Sequence, residues 1–283
     1  MKTVALIANM AKPNVQHVAD RICTWCRRRK IYVYTQPELD CGDENMSLDQ
    51  PLPPVDFVLV LGGDGTFLNV ARRYSQEVIP FLGVNLGRLG FLTEVEVSNL
   101  EASLEMLASG KYYVDRRSML SVRVFRDGEV AEKTIALNEV TISKGPQARI
   151  IKLDVMVDGN KVDRYRGDGI ILSTPTGSTG YSLSAGGPII APNVPTIIFT
   201  PICPHTLHAR PVVLSLNSRI TVDVDSAQTE IVLTVDGQEN LPLQYNDRIE
   251  VSNSRHQTLL VRLHGNSFFE ILRRKLMDYN RNG

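Results

Sequence analysis

An open, mostly parallel α/β domain followed by a mostly β domain is the architecture this sequence predicts, and three observations predict it. Strand-like and helix-like segments alternate over residues 1–110. After about residue 118, strand-like runs alternate with turn signals, and helical periodicity returns only near the end. Three Asp-Gly pairs, Asp127-Gly128, Asp158-Gly159 and Asp236-Gly237, carry hairpin-turn chemistry into that second stretch.

In chain order, residues 4–9 read as a buried strand. Residues 14–29 follow with Val15, Val18, Ala19, Ile22 and Cys26 at helical spacing. Residues 31–35 form a second strand, and a polar, proline-rich loop covers 36–54. Residues 56–61 are apolar throughout their inner positions, as in a strand covered on both faces. A glycine-rich turn, a helix over 66–75 and a strand over 79–85 come next. Ser98 and Glu101 have the spacing of a capping box, for a helix ending at Gly110. In the second stretch, residues 119–125, 150–157, 170–173, 220–224, 231–235 and 259–263 suit strands. Phe268, Ile271, Leu272 and Leu276 restore helical spacing at the end.

Composition narrows the function classes. Lysine plus arginine equals aspartate plus glutamate, so the chain lacks the basic excess of a nucleic-acid binder. The apolar run of residues 4–8 is too short for a signal-peptide core and far too short to span a bilayer. Without an export signal the four cysteines, Cys23, Cys26, Cys41 and Cys203, are expected to be reduced, and the location cytoplasmic.

Three segments carry chemistry. The first is Leu61-Gly62-Gly63-Asp64-Gly65-Thr66, between a strand and a helix. Ligands of open α/β sheets bind at that edge, where glycines let a phosphate approach the backbone. An aspartate there repels phosphate; it is either a solvated residue of a plain strand–helix turn, or it holds a metal or accepts a proton. It is expected to be exposed, and so free to reach either. The second segment runs Arg166-Gly167-Asp168-Gly169, a strand, then Thr174-Pro175-Thr176-Gly177-Ser178-Thr179-Gly180-Tyr181-Ser182-Leu183-Ser184-Ala185-Gly186-Gly187-Pro188. Its small hydroxyls and N–H groups suit a polar ligand. The third is Asn138-Glu139 at a strand end, an amide and a carboxylate able to grip ribose hydroxyls.

Together, in this order, these segments resemble the NAD kinase family over about residues 1–270. The GGDG loop alone is shared with diacylglycerol-kinase-like and phosphofructokinase-like enzymes; the TPTGST-x-Y segment is far more specific. Residues 201–207, Arg210-Pro211 and Asp236-Gly237-Gln238 also look like family segments. The resemblance implies an α/β domain joined to a β-sandwich, with the C-terminal helix packing back on the first domain. The domains are then 1–110 with 266–283, and 111–265. It implies Asp64 as catalytic base, with Gly65 beside the NAD site. Asn138 and Glu139 would bind the adenosine half of NAD. Asp168 would meet the nicotinamide amide, with Arg166 nearby. Thr179, Gly180, Tyr181, Ser182, Leu183 and Ser184 would line the dinucleotide pocket. Arg149 and Gln238 belong to looser motifs. Gly180 departs from the alanine usual in the family. Implied besides are ATP and NAD as substrates, a divalent metal such as Mg²⁺ and a dimer or tetramer; no nucleic acid or membrane is expected.

Rival readings are a lipid or sugar kinase of the same superfamily, which should lack TPTGST-x-Y, and a non-catalytic NAD(P) sensor, which could dispense with Asp64. A P-loop route is excluded because no Walker A lysine motif is present. Cys23-Thr24-Trp25-Cys26 mimics a redox or zinc motif but lies in a predicted helix without a second pair, so it reads as structural. His205 and His208 are read as surface residues, and Arg27 to Lys30 as a solvated helix end.

Overall fold

The computed structural model describes residues 1–87, 90–146, 150–205, 208–226, 230–263 and 268–281, with side chains of the last helix as far as Lys275. Arg149, Thr206, Leu207 and positions 266, 267, 282 and 283 of the expected terminal helix lie outside the described residues. Met1–Arg116 with Thr258–Gly283 form one compact unit, and Arg117–Gln257 form a second.

The first unit is built on β1 (Thr3–Ala8), α1 (Val15–Arg28), β2 (Tyr32–Thr35), β3 (Glu44–Asn45), β4 (Phe57–Gly62), α2 (Asp64–Arg73), β5 (Pro80–Asn85), β6 (Val95–Glu96) and α3 (Leu100–Ala108). The strands run in the order β5-β4-β1-β2-β3, every pair parallel. Successive strand residues face opposite sides. Leu82 joins the core cluster that holds α1 and α3, whereas Phe81 meets Phe67 of α2, with ring centroids 6.1 Å apart. Helices therefore cover both faces, which is why β4 is buried from end to end. The chain leaves β1 toward β2 on one side and reaches β4 on the other. The carboxyl ends of β1 and β4 thus mark the topological switch point, where such sheets place their ligands.

Local chemistry explains most boundaries and corrects one. Gly110 takes the left-handed conformation (φ 74°) just past α3, the usual glycine stop. The Ser98–Glu101 capping box does not form. Ser98 lies in a 3-10 turn, Val97–Asn99, and no side chain caps α3. The Glu101 carboxylate is instead taken by the Arg21 guanidinium at 2.7 and 2.9 Å. The basic end of α1, Arg27 to Lys30, is exposed as expected. Arg29 pairs with Glu105 and stacks 4.2 Å over the Trp25 ring. The loop over 36–54 hides the two-residue strand β3.

The second unit is all antiparallel. Its elements are β7 (Tyr113–Arg126), β8 (Glu129–Ala136), β9 (Glu139–Lys144), β10 (Ile151–Val157), β11 (Asn160–Gly167), β12 (Gly169–Ser173), α4 (Tyr181–Ser184), β13 (Thr196–Ile202), β14 (Val212–Ser215), β15 (Ile220–Val224), β16 (Ile231–Val235), β17 (Glu239–Leu243) and β18 (Arg248–Arg262). The residues of β7 and β18 are divided between the two units. One sheet runs β14-β13-β12-β9-β16-β17. Facing it, β11-β10-β15-β18 continue through β7 to β8. Alternate residues of both sheets, such as Val140, Ile142, Leu172 and Phe199 against Leu153, Val155, Val222 and Ile249, fill one core. All three Asp-Gly pairs sit in tight hairpin turns with both residues at positive φ, for instance Asp236 at 49° and Gly237 at 66°.

A final helix, α5 (Phe268–Arg281), returns to the first unit, its Phe268 ring 6.4 Å from Phe91. No helix among the described residues is long and apolar enough to cross a membrane.

Candidate active site

The Gly-rich loop closes β4 at the switch point, with Gly63 at the N-cap of α2 and Asp64 as its first residue. A side chain on Gly62 would collide with Thr66, so the turn can pass only with glycine there. Asp64 is not the free, exposed carboxylate the sequence suggests. It is half-buried, and both oxygens receive backbone N–H groups from the segment after β5. Phe91 donates to Oδ2 at 2.7 Å, and Leu92 and Thr93 donate to Oδ1 at 3.1 and 3.2 Å. The fit leaves no room at Gly90, where a Cβ would fall 1.7 Å from Oδ1. That segment is itself pinned. The buried Arg262 guanidinium donates to the Phe91 carbonyl at 2.9 Å and pairs with the buried Glu94 carboxylate at 3.0 Å. Gly65, the next residue of α2, is exposed.

In the second unit, the chain turns from β8 into β9 at Leu137-Asn138, and Glu139 opens the new strand. Asp236, at the tight turn after β16, accepts the N–H groups of Leu137 (3.0 Å), Asn138 (2.8 Å) and Glu139 (3.1 Å). The Thr174 hydroxyl donates to the Leu137 carbonyl at 2.6 Å, and the Thr174 N–H to the Asn138 carbonyl at 2.8 Å. Gly177 passes so close that a Cβ would fall 2.2 Å from the Asn138 carbonyl oxygen.

Two acceptor atoms in this tightly knit region, and the Ser173 hydroxyl opposite Glu139, have no partner among the described residues. Asn138 Oδ1 and Glu139 Oε2 are buried and accept no hydrogen bond among the described residues. Such atoms cost free energy unless something pairs with them. Burial first, and the Asp236 carboxylate second, push the Glu139 carboxyl up to about 8. Gly180 faces it: a Cβ there would lie 3.0 Å from Glu139 Oε2, so glycine in place of alanine leaves space beside the carboxyl.

The hydroxyl-rich segment is less open to a ligand than its composition suggests. It is not a bare loop, for a 3-10 turn (Gly177–Thr179) and α4 run through it. Its hydroxyls mostly staple it together. Thr179 donates to the Thr176 carbonyl at 3.3 Å. Ser178 donates to the Pro175 carbonyl at 2.6 Å and accepts the Ile190 N–H at 3.0 Å. The buried Ser182 hydroxyl meets that of Thr200 at 3.0 Å. Tyr181 and Ser184 are exposed and Leu183 half-buried. Asp168 forms a 2.7 Å ion pair with Lys144, which sequence reading did not single out. Arg166 and Gln238 are exposed. Asp236 and Arg262 were also missed as supports, since each acts on backbone far away in sequence; Asp236 shows only as the first residue of a turn motif and of a family-like Asp-Gly-Gln segment.

The Cys-x-x-Cys pair lies inside α1, as its helical spacing predicts. Cys23 and Cys26 are buried on α1. The hydrogen bond to Cys41 and then burial push the Cys23 thiol up, and burial pushes Cys26 up to about 12, so both are poor nucleophiles. His205 and His208 are exposed, and no three His, Cys, Asp or Glu side chains gather as a metal site among the described residues.

Comparison with known proteins agrees over nearly the whole chain. The model of the ATP-NAD kinase N-terminal domain matches residues 53–112, and that of the C-terminal domain matches residues 137–263. An NAD kinase of Geobacter sulfurreducens is 43% identical over 279 residues, covering 98% of each chain. One from Natranaerobius thermophilus is 41% identical over 280 residues, again 98% of each. Among solved structures, a yeast NADH kinase complexed with NADH superposes with a TM-score of 0.86 at 27% identity, covering 94% of this chain and 84% of that one. An Archaeoglobus fulgidus NAD kinase in complex with ATP gives 0.78 at 28% identity, covering 97% and 98%. With both domain models matched in order and full-length relatives above 40% identity, the chain belongs to the ATP-NAD kinase family.

Proposed function

We propose that this protein transfers the terminal phosphoryl group of ATP to the 2′-hydroxyl of the adenosine ribose of NAD, yielding NADP and ADP. The observation that carries the reading is the Asn138-Glu139 pair: two buried, unpartnered acceptor atoms on a backbone held by Asp236 and Thr174. Ribose hydroxyls are donors of the kind that would satisfy them. A carboxylate at Glu139 accepting those hydroxyls is favoured in its charged form, so NAD binding is expected to release a proton.

Asp64 is assigned the base. Oδ1 accepts the N–H groups of Leu92 and Thr93, while Oδ2 accepts that of Phe91. A carboxylate has about four lone-pair sites, so Oδ2 keeps one for the incoming hydroxyl. The proton passes from the 2′-hydroxyl to Oδ2 as the new O–P bond forms and the bond to ADP breaks. The glycine backbone at the switch point is assigned the donor phosphates. Mg²⁺ bound together with ATP would neutralise charge on the donor phosphates and would need at most one or two protein carboxylates to hold it. Asp168 is assigned the nicotinamide amide, Arg166 a neighbouring contact and Tyr181 a face of the dinucleotide pocket. All four cysteines are free, in keeping with a reducing, cytoplasmic setting. A dimer or tetramer, as the family resemblance implies, is checked by light scattering.

The direct test is to incubate the purified protein with NAD, ATP and Mg²⁺ and assay NADP. Formation of NADP, lost when NAD is replaced by adenosine or AMP, is expected. No NADP, or equal phosphorylation of AMP, would remove the dinucleotide reading.

A further inference from the structure

Asp236 is assigned no contact with substrate above, yet its carboxylate is buried and engaged by the backbone of the Asn138-Glu139 turn. It sits 6% exposed at the first position of a tight turn. Its oxygens accept three successive N–H groups, those of residues 137, 138 and 139. Its own N–H returns to the Glu139 carbonyl at 2.9 Å. Three consecutive N–H groups converging on one anion is not strand pairing, since in a strand alternate N–H groups point to opposite sides. The carboxylate therefore bends the chain at Leu137-Asn138. That bend lets Asn138 and Glu139 present their side chains from adjacent positions while Asn138 Oδ1 and Glu139 Oε2 stay without partners.

We propose that Asp236 is a positioning residue for the dinucleotide: by clamping the backbone of residues 137–139 it aims the Asn138 amide and the Glu139 carboxyl at the ligand. The inference rests on the reading of Asn138 and Glu139 as the NAD-binding pair. The elements packed on Glu139 bring Ser173 of β12, Gly177 and Gly180 of the following turn, and Asp236 at the end of β16. The charge among these is that of Asp236, whose effect adds to burial in raising the Glu139 carboxyl. A purely structural turn residue would contribute to melting temperature alone. A positioning residue changes NAD affinity and the pH at which that affinity changes.

The test compares wild type, Asp236→Asn and Glu139→Gln by calorimetry with NAD from pH 6 to 9, beside melting temperature and turnover at saturating NAD. Asp236→Asn keeps one acceptor oxygen but loses the charge and part of the clamp. It is expected to bind NAD about 10-fold more weakly, with the pH midpoint of affinity moved below that of wild type, ATP affinity unchanged and turnover at saturation largely kept. Glu139→Gln should abolish the pH dependence. A folded Asp236→Asn with wild-type NAD affinity and midpoint overturns the proposal, while a weakened Glu139→Gln in the same series leaves the binding-pair reading standing. Wild-type NAD affinity in Glu139→Gln removes both. Should Asp236→Asn fail to fold, Asp236→Glu, with the charge kept but the arm longer, decides: NAD affinity at least about fivefold weaker at an unchanged pH midpoint supports the clamp, and wild-type affinity overturns it.

Discussion

The two carboxylates at the centre of the assignment are in opposite conditions. Asp64 in the first unit is held in place, with three backbone N–H groups on its oxygens and a glycine at position 90 to make room. Glu139 in the second unit is more deeply buried, and its Oε2 meets no donor. One group is held in place by the protein; the other is left for something that is not protein. The difference separates a group that must keep a fixed position from one whose partner arrives with the ligand. A base needs alignment to within hydrogen-bond distance of one proton, and fixed N–H groups supply alignment. A binding group contributes most when its unpaired state is costly, and burial supplies that cost.

Removing the aligned group is the strongest way to break the contrast. Asp64→Asn is expected to lower turnover by about 10²- to 10⁴-fold with NAD affinity retained. Its side-chain NH₂ would also face backbone donors, so melting temperature should drop, unlike for a change in an exposed loop. Turnover near wild type at saturating NAD and ATP would move the base elsewhere. Next in size is Glu139→Ala, expected to weaken NAD binding by roughly 10- to 150-fold, the worth of about 1.5–3 kcal/mol for a hydrogen bond to a charged group. ATP affinity should hold, and unchanged NAD affinity by calorimetry refutes the role.

A pH series sharpens the contrast further. The Glu139 carboxyl titrates near 8 when folded and near the ordinary 4.5 when unfolded. Between those values the folded protein keeps a proton the unfolded chain has lost, so its contribution to stability is present below 4.5 and is lost as pH rises toward 8. Glu139→Gln should therefore melt progressively higher than wild type from pH 5 to 9, a gain on the order of a few kcal/mol. Wild-type NAD affinity should tighten about tenfold from pH 7 to 9. A constant gap in melting temperature across that range would show that Glu139 is not held protonated. The smallest effect belongs to the thiols. Replacing Cys23 and Cys26 together by alanine should leave turnover nearly intact while lowering melting temperature through lost packing. Stoichiometric zinc, lost on that replacement, would contradict a structural role.

What could be read in the sequence follows from how local its cause is. β1, β4 and α1 were legible because apolar periodicity records burial directly. The three Asp-Gly hairpins were legible because the turn requires positive φ at two adjacent residues. β11 was not, since an exposed edge strand rich in charge leaves no alternation to read, and β14 was not, since its four residues, Val-Val-Leu-Ser, form a short exposed edge. The capping box failed because Glu101 has a partner 80 residues away. The position of Asp64 beside the ligand edge was legible in GGDG; its hydrogen bonds were not, because they come from residues 91–93. In the hydroxyl-rich segment, composition alone could not tell staples such as Ser178 from hydroxyls free to meet a ligand.

The division of the chain has a consequence for the order in which the protein is made. The first unit needs residues from 258 onward, where Leu259 and Leu260 pair with Pro80 and Phe81, whereas the second is one uninterrupted stretch, Arg117–Gln257. A ribosome releases the chain from its amino end, and domains tend to fold as units. The sandwich can therefore close while the GGDG half still waits for its last strand and the Arg262 that fixes the segment over Asp64. The sandwich thus needs nothing beyond residue 257, whereas the carboxylate assigned as base acquires its setting only with residues 258–262.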